Sequence, residues 1–336
     1  MFRGQGLFAM RMVLFFSLLA VASPCYAWGE SVDSKARALA HYIMAVCHDL
    51  NGETDQAINE YKNSVKFDPL EAAPRLKLGA YYLRLDELSK AVLQLKAVTR
   101  ISPEEAPAHY LLADIYTSEH KFDLAASEYE SILKNALPDD PANTDAYMYL
   151  GQLYYAKENY PLAKEQFLKV LKFDPNNTTA LYLLGSVWVD SNDSVKAIEA
   201  FRKVLQIDPE NSEALNSLAY MYAEGNVHLD EAIRMVRKAI EIDPANGAYY
   251  DSLGWVLYKK GMYQESLMAL QKAQNYIEDE VLYDHIGDVY KALKQYAQAR
   301  QYWRKSLDLD PHQISVQQKI KGSEKWIASQ SSHRLN

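Results

Sequence analysis

Six prolines punctuate the chain at Pro69, Pro103, Pro175, Pro209, Pro244 and Pro311, and the steps from Pro69 to Pro103 and from Pro175 to Pro209 are each 34 residues. A recurring step of this size constrains the fold strongly, because a segment that short cannot own a core and must bury its apolar face on its neighbours. Five of the six prolines follow Asp, and Pro103 follows Ser102. The residue before a proline is turned away from helical angles, so each of these dipeptides marks a helix end.

One full step reads TTALYLLGSVWVDSNDSVKAIEAFRKVLQIDPE, from Thr178 to Glu210. Leu181, Leu184, Gly185 and Trp188 fall at i, i+3, i+4 and i+7, which predicts an amphipathic helix. Ser191-Asn192-Asp193-Ser194 breaks it and offers capping side chains for a second helix. That helix carries Ala197, Phe201 and Val204 and stops at Asp208-Pro209.

These residues resemble the tetratricopeptide repeat pattern, W-x2-L-G-x2-Y, then A-x3-F, then P. The pattern's Leu falls on Met44, Leu78, Leu112, Leu150, Leu184, Leu218, Leu253 and Ile286. Its Gly falls on Gly79, Gly151, Gly185, Gly254 and Gly287, and its second-helix Ala on Ala57, Ala91, Ala125, Ala163, Ala197, Ala232 and Ala299, with Ser266 once. The large residue four later is Tyr61, Leu95, Tyr129, Phe167, Phe201, Val236, Leu270 or Trp303. The resemblance covers about residues 36–314. It implies an all-α, right-handed solenoid of about eight helix-turn-helix units with a C-terminal capping helix. The units start near Ala38, Ala72, Ala106, Thr144, Thr178, Ser212, Gly247 and Glu280.

The expected organisation is a signal segment at 1–27, a lead-in at 28–37, three units at 38–137, an insertion at 138–143, five units at 144–313, a capping helix at 314–328 and a disordered tail at 329–336. The insertion holds Pro138-Asp139-Asp140-Pro141 and is either a bend or sub-domain boundary, or simply a longer turn. The signal reading rests on Arg3 and Arg11 flanking the ten-residue apolar run Val13–Ala22, with Cys25 and Ala27 at the places before a cleavage at Trp28. Such a run suits a signal core and is short for a bilayer span. Export to the periplasm or cell envelope of a bacterium is therefore expected, with no transmembrane span after cleavage. Ala22-Ser23-Pro24 departs from a lipobox, so lipid anchoring through Cys25 is not expected. Cys47 would then be an unpaired thiol, expected to be buried in the first hairpin.

The net charge of −8 argues against a phosphate-backbone binder, which needs a basic stripe. No Walker-type loop, HExxH or Gly-x-Ser-x-Gly motif is present. His41 and His48, with Cys47 nearby, are better read as replacing the repeat's aromatics than as metal ligands. The chain is expected to be no enzyme and to hold neither cofactor nor metal.

What remains is protein binding. In proteins of this resemblance the second, fifth, ninth and twelfth places of each unit line a concave groove. Here they hold Tyr42, Tyr110, Met148, Gln152, Tyr155, Tyr182, Tyr220, Asp251, Trp255, Tyr258, Asp284 and Asp288, among others. Aromatics dominate recognition hot spots, and a peptide or helix laid along such a face is a sensible ligand. Several of these rings could equally bridge adjacent hairpins. His41, Arg75 and His109 share one repeat position and form a possible cationic row for an acidic partner. The Lys and Asn clamp that resembling proteins use for chaperone C-termini is absent, since Tyr42, Val46, Leu76, Ala80, Tyr110 and Asp114 hold those places. The expected function is a scaffold or assembly factor. A structural homo-oligomer, or a catalytic or cofactor-binding solenoid, are the competing readings.

Overall fold

Helix after helix stops at the same device. In Asp68, Asp174, Asp208, Asp243 and Asp310, each just before proline, the carboxylate accepts the backbone N–H two residues on. Proline halts the helix and the aspartate closes the turn that follows. The next helix begins on an Asn or Asp cap where Asn177, Asn211, Asn246 and Asp279 each accept a first-turn N–H.

The computed structural model describes residues 33–135 and 143–333. The expected signal segment with Cys25, the insertion at Pro138–Pro141 and residues 334–336 lie outside the described residues. Among the described residues there are only helices and turns, seventeen helices in all. They are α1 (33–50), α2 (Thr54–Phe67), α3 (Ala72–Arg84), α4 (Leu88–Ile101), α5 (Ala106–Ser118), α6 (Phe122–Asn135), α7 (Thr144–Ala156) and α8 (Tyr160–Phe173). Then come α9 (Thr178–Asp190), α10 (Ser194–Ile207), α11 (Ser212–Glu224), α12 (Leu229–Ile242), α13 (Gly247–Lys259), α14 (Tyr263–Ala273), α15 (Glu280–Ala292), α16 (Tyr296–Leu309) and α17 (Ile314–His333).

The helices alternate between two kinds. Odd-numbered helices carry the small residue of the repeat, and even-numbered ones carry its large residue. Gly287 on α15 shows why the first must be small, since a Cβ there would lie 2.4 Å from the Trp303 ring of α16. The large residues Tyr61, Leu95, Phe167, Phe201, Val236, Leu270 and Trp303 are all fully buried. The turn between the two helices needs one left-handed residue, supplied by Gly52, Asp86, His120, Glu158, Asn192, Asn226, Gly261 or Lys294.

The described residues divide into two compact units, one ending at Lys157 and the other beginning at Glu158. In the first, α2 to α7 pack in sequence, each on the next. α1 joins them through Ala45 and Tyr42, the latter ring set against Tyr61. In the second, α8 to α17 pack in sequence in the same way. The division falls one helix after residues 138–143, the insertion read as either a bend or sub-domain boundary or a longer turn. α7 follows the insertion yet places Ala146, Leu150 and Leu153 in the same core as Tyr129 of α6, so it belongs to the first unit.

Two further expectations are corrected. α17 runs to His333, past residue 329 where the tail was expected to become disordered, because no proline interrupts Ile314–His333. Cys47 is exposed, not buried. It sits on the side of α1 that a preceding hairpin would cover.

Candidate functional site

The lining places lie on odd-numbered helices, and successive odd helices touch one another: α3 with α5 in the first unit, α11 with α13 and α13 with α15 in the second. Each unit therefore presents a face built from first helices.

On the first unit, Tyr42, Tyr110, Met148, Gln152 and Tyr155 are half-buried. The Tyr110 ring meets Tyr129 edge-on at 5.9 Å, and burial raises its phenol pKa, helped by Asp145. Near Tyr42 lies a cavity of about 310 Å3, lined by Lys35, Ala38, Leu39, Tyr42, Ser64, Asp68, Glu71 and Ala73. It is lined by acids, a base and apolar carbon together.

On the second unit the face is more polar and more tightly knit. Tyr182 is half-buried against Phe201, ring to ring at 5.6 Å. Trp255 is almost wholly buried. It stacks on His285 of α15 at 4.0 Å and on Tyr258 at 5.0 Å, and its Nε1 donates to Glu224 of α11 at 2.6 Å. The Lys259 ammonium lies 4.7 Å from the Trp255 ring and 3.3 Å from Glu224. Asp251 bonds the buried His285 at 2.9 Å. Burial, then Glu224 and Asp251, pushes the Tyr220 phenol up to about 12. Burial and the nearby Asp288 likewise raise Tyr258.

Asp284 and Asp288, one turn apart on α15, share the Lys319 ammonium of α17 at 2.7 and 2.8 Å. Burial raises the Asp284 carboxyl above its ordinary value, and Asp288 adds to this against the pull of Lys319. Burial works against the Lys319 charge, but the two carboxylates outweigh it and raise its pKa.

The sequence places these residues on one kind of helix, and the structure assigns them different tasks. Trp255, Asp251 and Asp288 tie neighbouring helices together. Tyr42, Tyr110, Tyr182, Tyr220 and Tyr258 keep part of each ring accessible. Glu224, Lys259, His285 and Lys319 complete the network and were missed. Glu224 and Lys259 both occupy the thirteenth place of their units, and that shared place is the signal that could have found them.

The cationic row is corrected. His41 Nδ1 contacts Glu60 at 2.5 Å and its ring stacks on Phe67 at 5.3 Å. Arg75 donates to the Pro69 carbonyl through Nε and Nη2, and to Gln94 through Nη1. Buried His109 bonds Glu128 at 2.6 Å and the Pro103 carbonyl at 2.9 Å. In each case the partner on the second helix lies 19 residues on. The position fastens one helix of a hairpin to the other, and its charges are spent there.

No helix among the described residues is long and apolar enough to cross a membrane. The family model described as Tetratricopeptide repeat protein 21 C-terminal ARM domain matches residues 24–214, and that of the tetratricopeptide repeat matches residues 281–313. No curated protein sequence matches the chain. Among solved structures, a tetratricopeptide repeat protein from Parabacteroides merdae is 19% identical over 75% of this chain and 98% of its own, with a TM-score of 0.59. A chain of the APC/C hetero-tetramer Cut9-Hcn1 is 16% identical over 83% of this chain and 54% of its own, also with a TM-score of 0.59. Both likenesses concern the fold alone.

Proposed function

The chain belongs to the tetratricopeptide repeat family, and from that premise we propose that it is a non-enzymatic scaffold or assembly factor of a bacterial cell envelope, holding segments of partner proteins on its first-helix faces. Proteins of this fold are generally interaction scaffolds. The observation that carries the reading is the row of half-buried tyrosines, Tyr42, Tyr110, Tyr182, Tyr220 and Tyr258, at the lining places. A ring fixed on one side and reachable on the other offers contact area with little rotamer entropy left to lose. The two faces suit different segments. The first is rich in tyrosine with Met148 beside it. The second carries Glu224, Asp251, Asp284 and Asp288 around its rings, each already paired with Lys259, His285 or Lys319, so its rings rather than its charges offer the contact. The apolar run Val13–Ala22 and its basic flank support export.

The test is crosslinked capture from an envelope extract. One bait is the chain from Trp28 to Asn336, and the second carries Tyr110→Ala, Tyr182→Ala and Tyr258→Ala. Trp255 is left intact because its ring holds α11, α13 and α15 together. A partner captured by the first bait should be depleted by about tenfold or more on the second, the scale of a hot-spot loss, with circular dichroism unchanged. Equal capture by both baits would refute the faces as the binding surface.

A further inference from the structure

His285 of α15 is a titratable ring with almost no access to water. Its Nδ1 meets the Asp251 carboxylate of α13 at 2.9 Å. Its face lies on the Trp255 indole, with centroids 4.0 Å apart and planes 16° from parallel. Trp255 in turn donates from Nε1 to Glu224 of α11. One imidazole therefore joins the first helices α11, α13 and α15. Ser217 of α11 and Ser252 of α13 hold the same sixth place of their units. A hydroxyl there stays neutral throughout, whereas an imidazole ordinarily changes its charge between about pH 5 and pH 8.

The surroundings favour the proton. Asp251 is within bonding distance, Asp284 is the preceding residue, Asp288 stands three residues on, and Glu224 lies across the indole. Lys259 and Lys319 oppose it, but these same acids hold them, Glu224 taking Lys259 and the α15 pair taking Lys319. Tyr220 and Tyr258 add no charge at neutral pH, because burial raises both phenols above their ordinary value. α14 and α16 also pack on α15. They bring Leu270 and Trp303 to it, and Lys305 of α16 lies over Tyr283 and Tyr302, away from the histidine. Four carboxylates are thus set against two ammoniums and the ring.

Nδ1 serves Asp251, so an added proton goes to Nε2 and leaves that bond in place. The bond becomes charge-assisted, and the stack on Trp255 becomes a cation–π contact. Protonation strengthens both contacts together. Trp255 also stacks on Tyr258, one of the half-buried rings of this face.

We propose that His285 is a proton-operated clasp, whose protonation fastens α13 to α15 and holds the Trp255–Tyr258 ring pair in place for a partner. Mildly acid conditions stiffen the second face, and alkaline conditions loosen it. Asp284 works in the same direction. Burial and Asp288 raise its carboxyl, so the fold holds that proton better than the open chain does, and this contribution also declines as pH rises. The use of the clasp rests on the binding role proposed for this face, and its action on the helices does not.

Hydrogen exchange of the full chain without a partner tests it, at about pH 5.5 and about pH 8, on either side of the imidazole range. With intrinsic rates corrected for, α13 and α15 should open about threefold less often, or rarer still, at the lower pH. α9 should open equally often at both. His285→Gln should abolish the difference and Asp251→Asn should reduce it, with circular dichroism unchanged. His228→Gln should preserve it, since that exposed ring pairs with Glu231 elsewhere. If His285→Gln does not fold, Asp251→Asn decides, and a full difference there counts against the clasp. Equal opening of wild type at the two pH values would overturn the proposal. So would a difference that survives in His285→Gln, which would belong to Asp284. Failure of partner capture with the exchange difference intact would refute the binding role and leave the clasp standing.

Discussion

His109 shows how much one side chain can settle. Its Nδ1 meets a Glu128 carboxylate and its Nε2 meets the Pro103 carbonyl, and neither oxygen can donate. With Glu128 ionised, these contacts favour hydrogen on both ring nitrogens, the imidazolium form. The Glu128 bond raises its pKa above the ordinary 6.5, burial opposes this, and the Pro103 carbonyl adds to the rise. A histidine whose folded pKa is raised contributes stability that is complete below the unfolded value and is lost as pH rises through the folded value. Denaturant midpoints should thus separate wild type from His109→Gln more widely at acid pH than at alkaline pH. A gap that stays constant across the titration would mean the ring is neutral in the fold. In the sequence His109 stood in a row of apparent surface cations. Nothing in its letter revealed that Glu128, 19 residues on, would face it.

At the scale of the element, the repeat pattern carried most of what the helices do. The small residue at one place and the large residue at another predict a close crossing, and Gly287 against Trp303 is the tightest case together with Gly254 against Leu270. Gly287→Ala gains about 1 kcal/mol of helix propensity. It also forces a methyl into the buried indole, and overpacking of this kind costs about 1–3 kcal/mol. Tm should fall, and a crystal structure of the variant should show Trp303 displaced. An unchanged or raised Tm would show that the ring can yield without loss. The helix ends were also legible, because Asp-Pro stops a helix by backbone sterics alone. The fate of Trp255 was not. Its partners Glu224 and His285 lie 31 and 30 residues away in the chain, and a periodic pattern assigns the ring a place without saying which neighbours claim it. Cys47 was misread for a related reason. The pattern gives the first hairpin the same letters as the inner ones, whereas burial depends on a hairpin being there to cover them.

For the whole molecule, stability is a sum of hairpins and of the contacts between neighbours. Among the described residues α1 is covered on one side only, so its amides should exchange faster than those of α3 and α5. Hydrogen exchange reads this directly, and rates in α1 equal to those in α5 would contradict the exposure of its outer face.

The Asp-Pro turns have a consequence for how such a chain changes over time. Each is closed by its own aspartate and the N–H two residues on, and the side chains of Arg75 and Tyr250, which also bond a proline carbonyl, each come from the helix that follows, six residues on. A stretch cut at any two of them, such as the 34 residues from Pro175 to Pro209, begins and ends in the same way. Duplicating or deleting such a stretch leaves a junction as sound as the one it replaced, so recombination can lengthen or shorten the array one hairpin at a time.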